Sequence, residues 1–233
     1  IMEAFGFKYR YRLSTRDPEH PEKYLGDPKV WDKLEAWAVT IMERNNIPYY
    51  DGPGEAAFYG PKMDLMATDA LGREWQLSTV QIDMVQPERF ELEYTAADGT
   101  KARPVMIHRA ILGSSERAMM VLLEHYAGAL PLWLSPVQVK VIPVRENHND
   151  AAKVAADLLK KAGLRVDFDS SDTGFGKKVR EAKDYKVPYT IIIGDQDIAA
   201  GVVTLESRDK GKIGAMKIED VVENLSKERQ NKA

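Results

Sequence analysis

The chain has 233 residues, 44% hydrophobic and 30% charged, a balance that suits a globular protein with room for two modest cores. It contains no cysteine, which excludes disulfides and thiolate metal sites within the chain, and no apolar run approaches the roughly 20 residues of a membrane-spanning helix. The net charge of −3 divides into 15 basic and 20 acidic residues through position 136, then 18 and 16 beyond it, so charge alone does not announce a nucleic-acid partner.

Phe5 to Ser14 alternates aromatic and basic residues at the period of a half-buried strand. A polar, proline-rich loop follows. Asp27-Pro28 then makes a good helix start, a capping carboxylate with proline at the first helical position. Val30, Leu34, Trp37, Ile41 and Met42 predict one apolar helix face, stopped by Asn45-Asn46 and Pro48. Residues 56–69 and 73–84 read as strands around a Leu71-Gly72 turn, and 90–95 with 103–109 as a hairpin across Ala97-Asp98-Gly99. This succession predicts an antiparallel sheet. The pattern changes between Pro131 and Pro136. Beyond it, strands VQVKVIPV, RVDFDS, YTIIIG and VVTLES alternate with helices at 149–161 and about 176–185, before a last helix at about 218–229. That βαβαββα order predicts a mixed sheet covered by helices. The expected class is α/β, with an α+β part over 1–135 and an α/β part over 136–233. Ile1 falls inside the approach to a strand, which suggests the tail of a longer protein.

The segments AAFYGPKMDL (56–65) and WQLSTVQIDM (75–84) carry uncharged polar residues along strands. Tyr59, Lys62 and Asp64 follow one strand; Gln76, Ser78, Thr79 and Gln81 follow the next. Such groups are costly to bury without partners, so they face either solvent or a ligand. Arg117 opens the helix after Gly113-Ser114-Ser115, where the macrodipole already disfavours a cation. Either its stem lies along the helix with its head in water, or something anionic such as a phosphate sits at the helix mouth. His108, alone in its strand, reads first as a hydrogen-bonded structural residue.

HRAILGSSER (108–117) closely resembles motif 3 of class II aminoacyl-tRNA synthetases. Together with FYGPK, the Q-x-x-T-x-Q spacing and PLWLSPVQV, it resembles the threonyl-tRNA synthetase family over nearly the whole chain. The resemblance implies the last half of a class II catalytic domain followed by an anticodon-binding domain. It implies formation of threonyl-adenylate from ATP, with Mg2+, and threonine, then transfer to tRNA-Thr by a cytoplasmic homodimer. On the matching positions, Tyr59 and Gln81 belong near threonine, Lys62 near the phosphoryl region, and Gln76 and Thr79 near the adenylate. Arg117 belongs on the adenine face with contact to the ATP phosphates; Arg117, Lys62 and Gln76 are the expected catalytic groups. His108 corresponds to one of three zinc ligands, the other two belonging upstream of this chain. A zinc held through amino and hydroxyl groups rejects an isosteric apolar side chain, which a plain pocket does poorly. One ligand falls short of the usual three, so tight zinc binding by this chain alone is not expected. Neither is threonine activation, because the resemblance places motifs 1 and 2 outside it. Leu77-Ser78, Met84 and Ser115 depart from the usual residues of the bacterial family.

In the second part, Lys177, Arg180 and Lys183 fall three apart on one helix side, either a solvated basic face or an RNA-phosphate surface. GKKVREAKDYKVPYTIIIGDQDI (176–198) resembles the same family's anticodon-domain segment, which implies a base-facing role for Asp197. Glu206 stands where that family usually carries a basic residue, and Ser171-Asp172-Thr173 replaces an N-E-K-like stretch. The other readings are a non-catalytic tRNA-binding or regulatory paralogue and a class II enzyme for proline, histidine or glycine. The retained Tyr59, Gln76, Gln81 and Arg117 weigh against the first, and His108 favours threonine over the second.

Overall fold

Strand alternation sorts the first part of the chain into a sheet with one apolar and one polar side. The computed structural model describes residues 1–232 and divides them into two units, Ile1–His125 and a second starting at Tyr126. In the first unit, β1 (Lys8–Thr15) leads to α1 (Pro28–Arg44), β2 (Tyr49–Pro53), β3 (Lys62–Thr68) and β4 (Glu74–Asp83). A short α2 (Val85–Arg89), the two-residue strands β5 (Tyr94–Thr95) and β6 (Lys101–Ala102), β7 (Met106–Ala110) and α3 (Ser115–His125) complete it. The sheet order is β2-β1-β3-β4-β7, antiparallel except for the parallel β1–β2 pair.

Asp27 caps α1 by accepting from the Lys29 amide at 2.8 Å, with Pro28 as the first helical residue. The buried face of α1 is Trp31, Leu34, Ala38 and Met42, a spacing of three and four residues. Trp37, expected on that face, is 55% exposed. Leu34 and Ala38 form a core cluster with Leu13 and Ile82, and Met63 and Tyr49 pack against it. The strand read over 56–69 starts only at Lys62, because Ala57 and Gly60 bridge to each other in a tight turn. The hairpin expected between 90–95 and 103–109 across Ala97-Asp98-Gly99 forms only in its last turn, Tyr94 pairing with Ala102 and Thr95 with Lys101. Beyond that turn β7 pairs with β4, opposing Thr79 to Ala110 and Gln81 to His108.

The second unit holds β8 (Val139–Pro143), α4 (Asn149–Lys161), β9 (Val166–Phe168), α5 (Phe175–Asp184) and β10 (Tyr189–Ile193). Then follow α6 (Asp195–Ala200), β11 (Val203–Ser207), β12 (Gly211–Met216) and α7 (Ile218–Asn231). Its sheet order is β12-β11-β10-β8-β9, parallel at β10–β8 and β8–β9 and antiparallel elsewhere. The core gathers Val139, Val141, Ile191, Ile193 and Leu205 from the strands with Leu159, Val221 and Leu225 from α4 and α7. The segment where the sequence pattern changes is bound into this unit. Leu132 is 2% exposed in the same core; Gln138 Nε2 donates to its carbonyl at 2.7 Å, and the Arg165 guanidinium donates to Trp133 and Ser135 carbonyls. No described helix is long and apolar enough to cross a membrane.

Candidate functional site

Antiparallel register places Arg12 opposite Asp64 and Asp64 opposite Thr79, so these side chains share one face of the first sheet. Ser14, Lys62 and Gln81 stand two residues along on the same strands, and His108 opposes Gln81. The other face carries Leu13, Met63 and Ile82 toward α1. A register shift at Leu65/Met66 sets Gln76 opposite Met66, and its side chain reaches the Asp64 side. The sheet therefore presents Lys62, Gln76, Thr79, Gln81 and His108 together.

Asp64 lies at the centre of this face, fully buried. Its Oδ2 accepts from Ser14 Oγ at 2.7 Å and Arg12 Nη2 at 3.1 Å, with Lys62 Nζ at 3.3 Å; its Oδ1 accepts from Gln76 Nε2 at 2.8 Å. Thr79 Oγ1 is buried with no hydrogen-bond partner among the described residues, an arrangement that costs free energy unless a ligand supplies one.

Tyr59 O–H donates to Gln81 Oε1, and its ring lies 5.1 Å from the His108 ring, centroid to centroid. Burial, and then the charge of Asp83, push the Tyr59 phenol above its ordinary pKa. His108 Nε2 sits 2.7 Å from Oδ2 of the fully buried Asp83, whose Oδ1 also caps α2 by accepting from the Val85 and Gln86 amides. A carboxylate accepts only, so this contact places the ring proton on Nε2 and leaves the Nδ1 lone pair free for a ligand. Among the described residues no three His, Cys, Asp or Glu side chains cluster as a metal site. His108 thus fits a single metal ligand and not a complete site.

Arg117 lies in the first turn of α3, its amide bonded to Ser114 Oγ at 3.1 Å. Its Nη1 donates to the Gln76 carbonyl at 3.0 Å, so the head turns toward the polar strand β4. Gly113, at φ +63°, makes this possible, since a Cβ there would press to 3.2 Å from the Leu77 carbonyl. Arg12, Ser14 and Asp83 join the site without having stood out in the sequence. Their signal there is their phase, polar residues in step with Lys62 and Gln81.

In the second unit Lys177, Arg180 and Lys183 are exposed on α5, and none makes a salt bridge or side-chain hydrogen bond among the described residues. The buried Lys178 instead donates to the Asp169 carbonyl at 2.9 Å, and Lys140 meets Glu181 at 3.0 Å, tying α5 to the sheet. Burial disfavours the Lys140 charge, but the Glu181 hydrogen bond and the carboxylates of Asp167, Asp169 and Glu181 outweigh it and raise its pKa. Asp197 is engaged within the fold: Oδ2 accepts from the Gly194 amide at 2.9 Å and Oδ1 from Thr204 Oγ1 at 2.7 Å. Each oxygen keeps a lone pair, but the carboxylate is fixed in place. Glu206 lies in a cavity of about 350 Å³ whose lining includes Lys183, Thr190 and Lys212. Ser171 turns back on Asp169, its Oγ donating at 2.6 Å.

Residues 1–126 match the family model described as the tRNA synthetase class II core domain (G, H, P, S and T), and residues 138–228 match the anticodon binding domain. A threonine--tRNA ligase from Prosthecochloris aestuarii is 47% identical over all of this chain, which spans 36% of that relative. One from Rubrobacter xylanophilus is 49% identical over 91% of the chain and 33% of its own length. The chain thus spans about a third of the curated relatives it matches. A crystal structure of the RNA binding domain of threonyl-tRNA synthetase from Cryptosporidium parvum superposes with a TM-score of 0.87 at 35% identity, covering 97% of this chain and 56% of that one. The chain belongs to the class II aminoacyl-tRNA synthetase family, in the group whose core serves G, H, P, S and T.

Proposed function

We propose that this chain supplies the motif 3 side of the adenylate site and the anticodon-binding module of a threonine--tRNA ligase. In the complete enzyme ATP and threonine give threonyl-adenylate and pyrophosphate, and the threonyl group then passes to the terminal ribose of tRNA-Thr. The observation that carries this reading is the single sheet face on which Lys62, Gln76, Thr79, Gln81 and His108 gather.

No protein nucleophile is needed, because positioning and neutralisation of phosphate charge carry the first step. Lys62 and Arg117 are the cations for that task. Tyr59 and Gln81 line the threonine side, and the unpartnered Thr79 hydroxyl meets the adenylate. Magnesium accompanies ATP. Zinc, when bound, would polarise and orient the amino and hydroxyl groups of threonine, with His108 as the one ligand from this chain; Asp83 holds that imidazole in the required tautomer. Lys177, Arg180 and Lys183 meet the RNA backbone, and Asp197 stands near the anticodon bases.

Threonine-dependent exchange of pyrophosphate into ATP tests the division of labour. The 233-residue chain by itself is expected to show none, because the arginine of motif 2 and the two remaining zinc ligands lie outside it. Exchange at the rate of a complete ligase would overturn this reading.

A further inference from the structure

We propose that Asp64 is a positioning residue that fixes the polarity of the site: it turns the Gln76 amide so that its carbonyl oxygen is the atom offered to a ligand. The inference rests on the proposed function for the identity of that ligand, but not for the orientation itself. An ionised carboxylate accepts hydrogen bonds and donates none. Oδ1 of Asp64 lies 2.8 Å from the Gln76 amide terminus, so the group pointing at it is the NH2 and the free group is Oε1. Gln76 therefore selects an O–H or N–H donor on the ligand, such as a ribose hydroxyl or a base amine of the adenylate. The other amide of the face has no such constraint. Gln81 meets the Tyr59 hydroxyl, and a phenol can donate or accept, so that pair is free to follow the ligand.

The same carboxylate sets the charge beside Gln76. Arg12 and Lys62, with side chains 13% and 12% exposed, both lie against its Oδ2. Among the described residues Lys62 has this single carboxylate within 4.0 Å, which leaves ammonium protons for an anionic group. Ser14, on the adjacent strand β1 and opposite Lys62, completes the shell of donors on Oδ2.

The test is NMR of the full 233-residue chain labelled with 15N-glutamine, the Gln76 side-chain signals being assigned with Gln76→Leu. In the unaltered chain the Gln76 NH2 protons should exchange with water at least about tenfold slower than those of exposed glutamines. Asp64→Asn should abolish that protection, while Asp69→Asn, in the turn beyond the other end of β3, should keep it and lower only the melting temperature. Gln76 protons exchanging at solvent rates in the unaltered chain would overturn the inference, whether or not the Asp64 variant folds. So would protection that survives Asp64→Asn. A sulfamoyl analogue of threonyl-adenylate is then titrated into a complete ligase carrying this sequence, because the 233-residue chain alone holds one side of the site. Binding weakened about tenfold or more by Asp64→Asn, and less than about twofold by Asp69→Asn, supports the role at the site. Protected Gln76 protons without analogue binding would leave the orientation standing and sink the adenylate reading alone.

Discussion

Gly60 lies so close to Ile82 that a Cβ built on it would fall 1.7 Å from the Ile82 carbonyl oxygen. This approach is between backbones, and it seats the turn carrying Tyr59 against β4, where Ile82 also donates its amide to the Pro61 carbonyl at 3.1 Å. Gly60→Ala must displace either this turn or β4. We expect a loss of at least about 3 kcal/mol in the first unit by denaturant unfolding, since overpacking against backbone has no flexible side chain to give way. A change within about 0.5 kcal/mol would show that the turn relaxes freely.

Arg117→Gln in a complete ligase carrying this sequence should leave the melting temperature nearly unchanged, because the residue is exposed and its bond to the Gln76 carbonyl lies at the surface. kcat/KM for ATP should fall by on the order of 1.5–3 kcal/mol, the scale of one charge-assisted hydrogen bond. Normal ATP kinetics with a destabilised protein would instead assign Arg117 to holding α3 on β4.

Much of the fold is legible in the sequence because local chemistry decides it. The Asp27-Pro28 cap, the polar phase of Lys62 and Gln81, and the helix carrying Lys177 follow from short-range patterns. What escapes is decided at long range. Tyr49–Pro53 falls outside the expected strands, yet it lies along β1 as a parallel edge strand; Gly211–Met216, with two glycines, is not among them either, yet it pairs with β11. The strand Met106–Ala110 alternates well, but nothing nearby says that its partner is β4 and not residues 90–95. The buried Asp64 and Asp83 organise the site more than the residues they hold, and burial of an acid cannot be read from its neighbours in sequence.

Asp69 makes stability depend on acid. Its buried carboxylate accepts from the Leu71 and Arg73 amides, Arg73 Nε at 2.6 Å and Trp75 Nε1 at 2.8 Å. Burial alone would raise its pKa, but the bonds from Trp75 and Arg73 outweigh it and hold the group well below the ordinary carboxylate value. A depressed pKa contributes stability that is complete above the unfolded value, about 3.9, and is lost as pH falls through the folded one. Asp69→Asn should therefore lower the melting temperature at pH 7, with a deficit that narrows below about pH 4. A deficit independent of pH would mean that shape, and not charge, holds the turn.

A polypeptide of residues 126–233 should melt cooperatively on its own. One of residues 137–233 lacks Leu132 from the core and the carbonyls that bind Gln138 and Arg165. Its melting temperature should be lower by at least about 8 °C, from the removal of a buried leucine and its anchoring bonds. Equal melting of the two would make 126–136 a passive linker.

If the second unit meets tRNA through the face of α5, the affinity of the 233-residue chain must depend on both salt and anticodon. The deciding titration compares tRNA-Thr with the same tRNA carrying a changed anticodon, across a range of salt concentrations. Binding should be modestly tighter to the threonine anticodon, with log K falling steeply in log salt. Replacing Lys177, Arg180 and Lys183 with Gln should flatten that slope by about 0.7–0.9 for each phosphate left without its cation. Equal, salt-insensitive binding to both RNAs would contradict the role of this face.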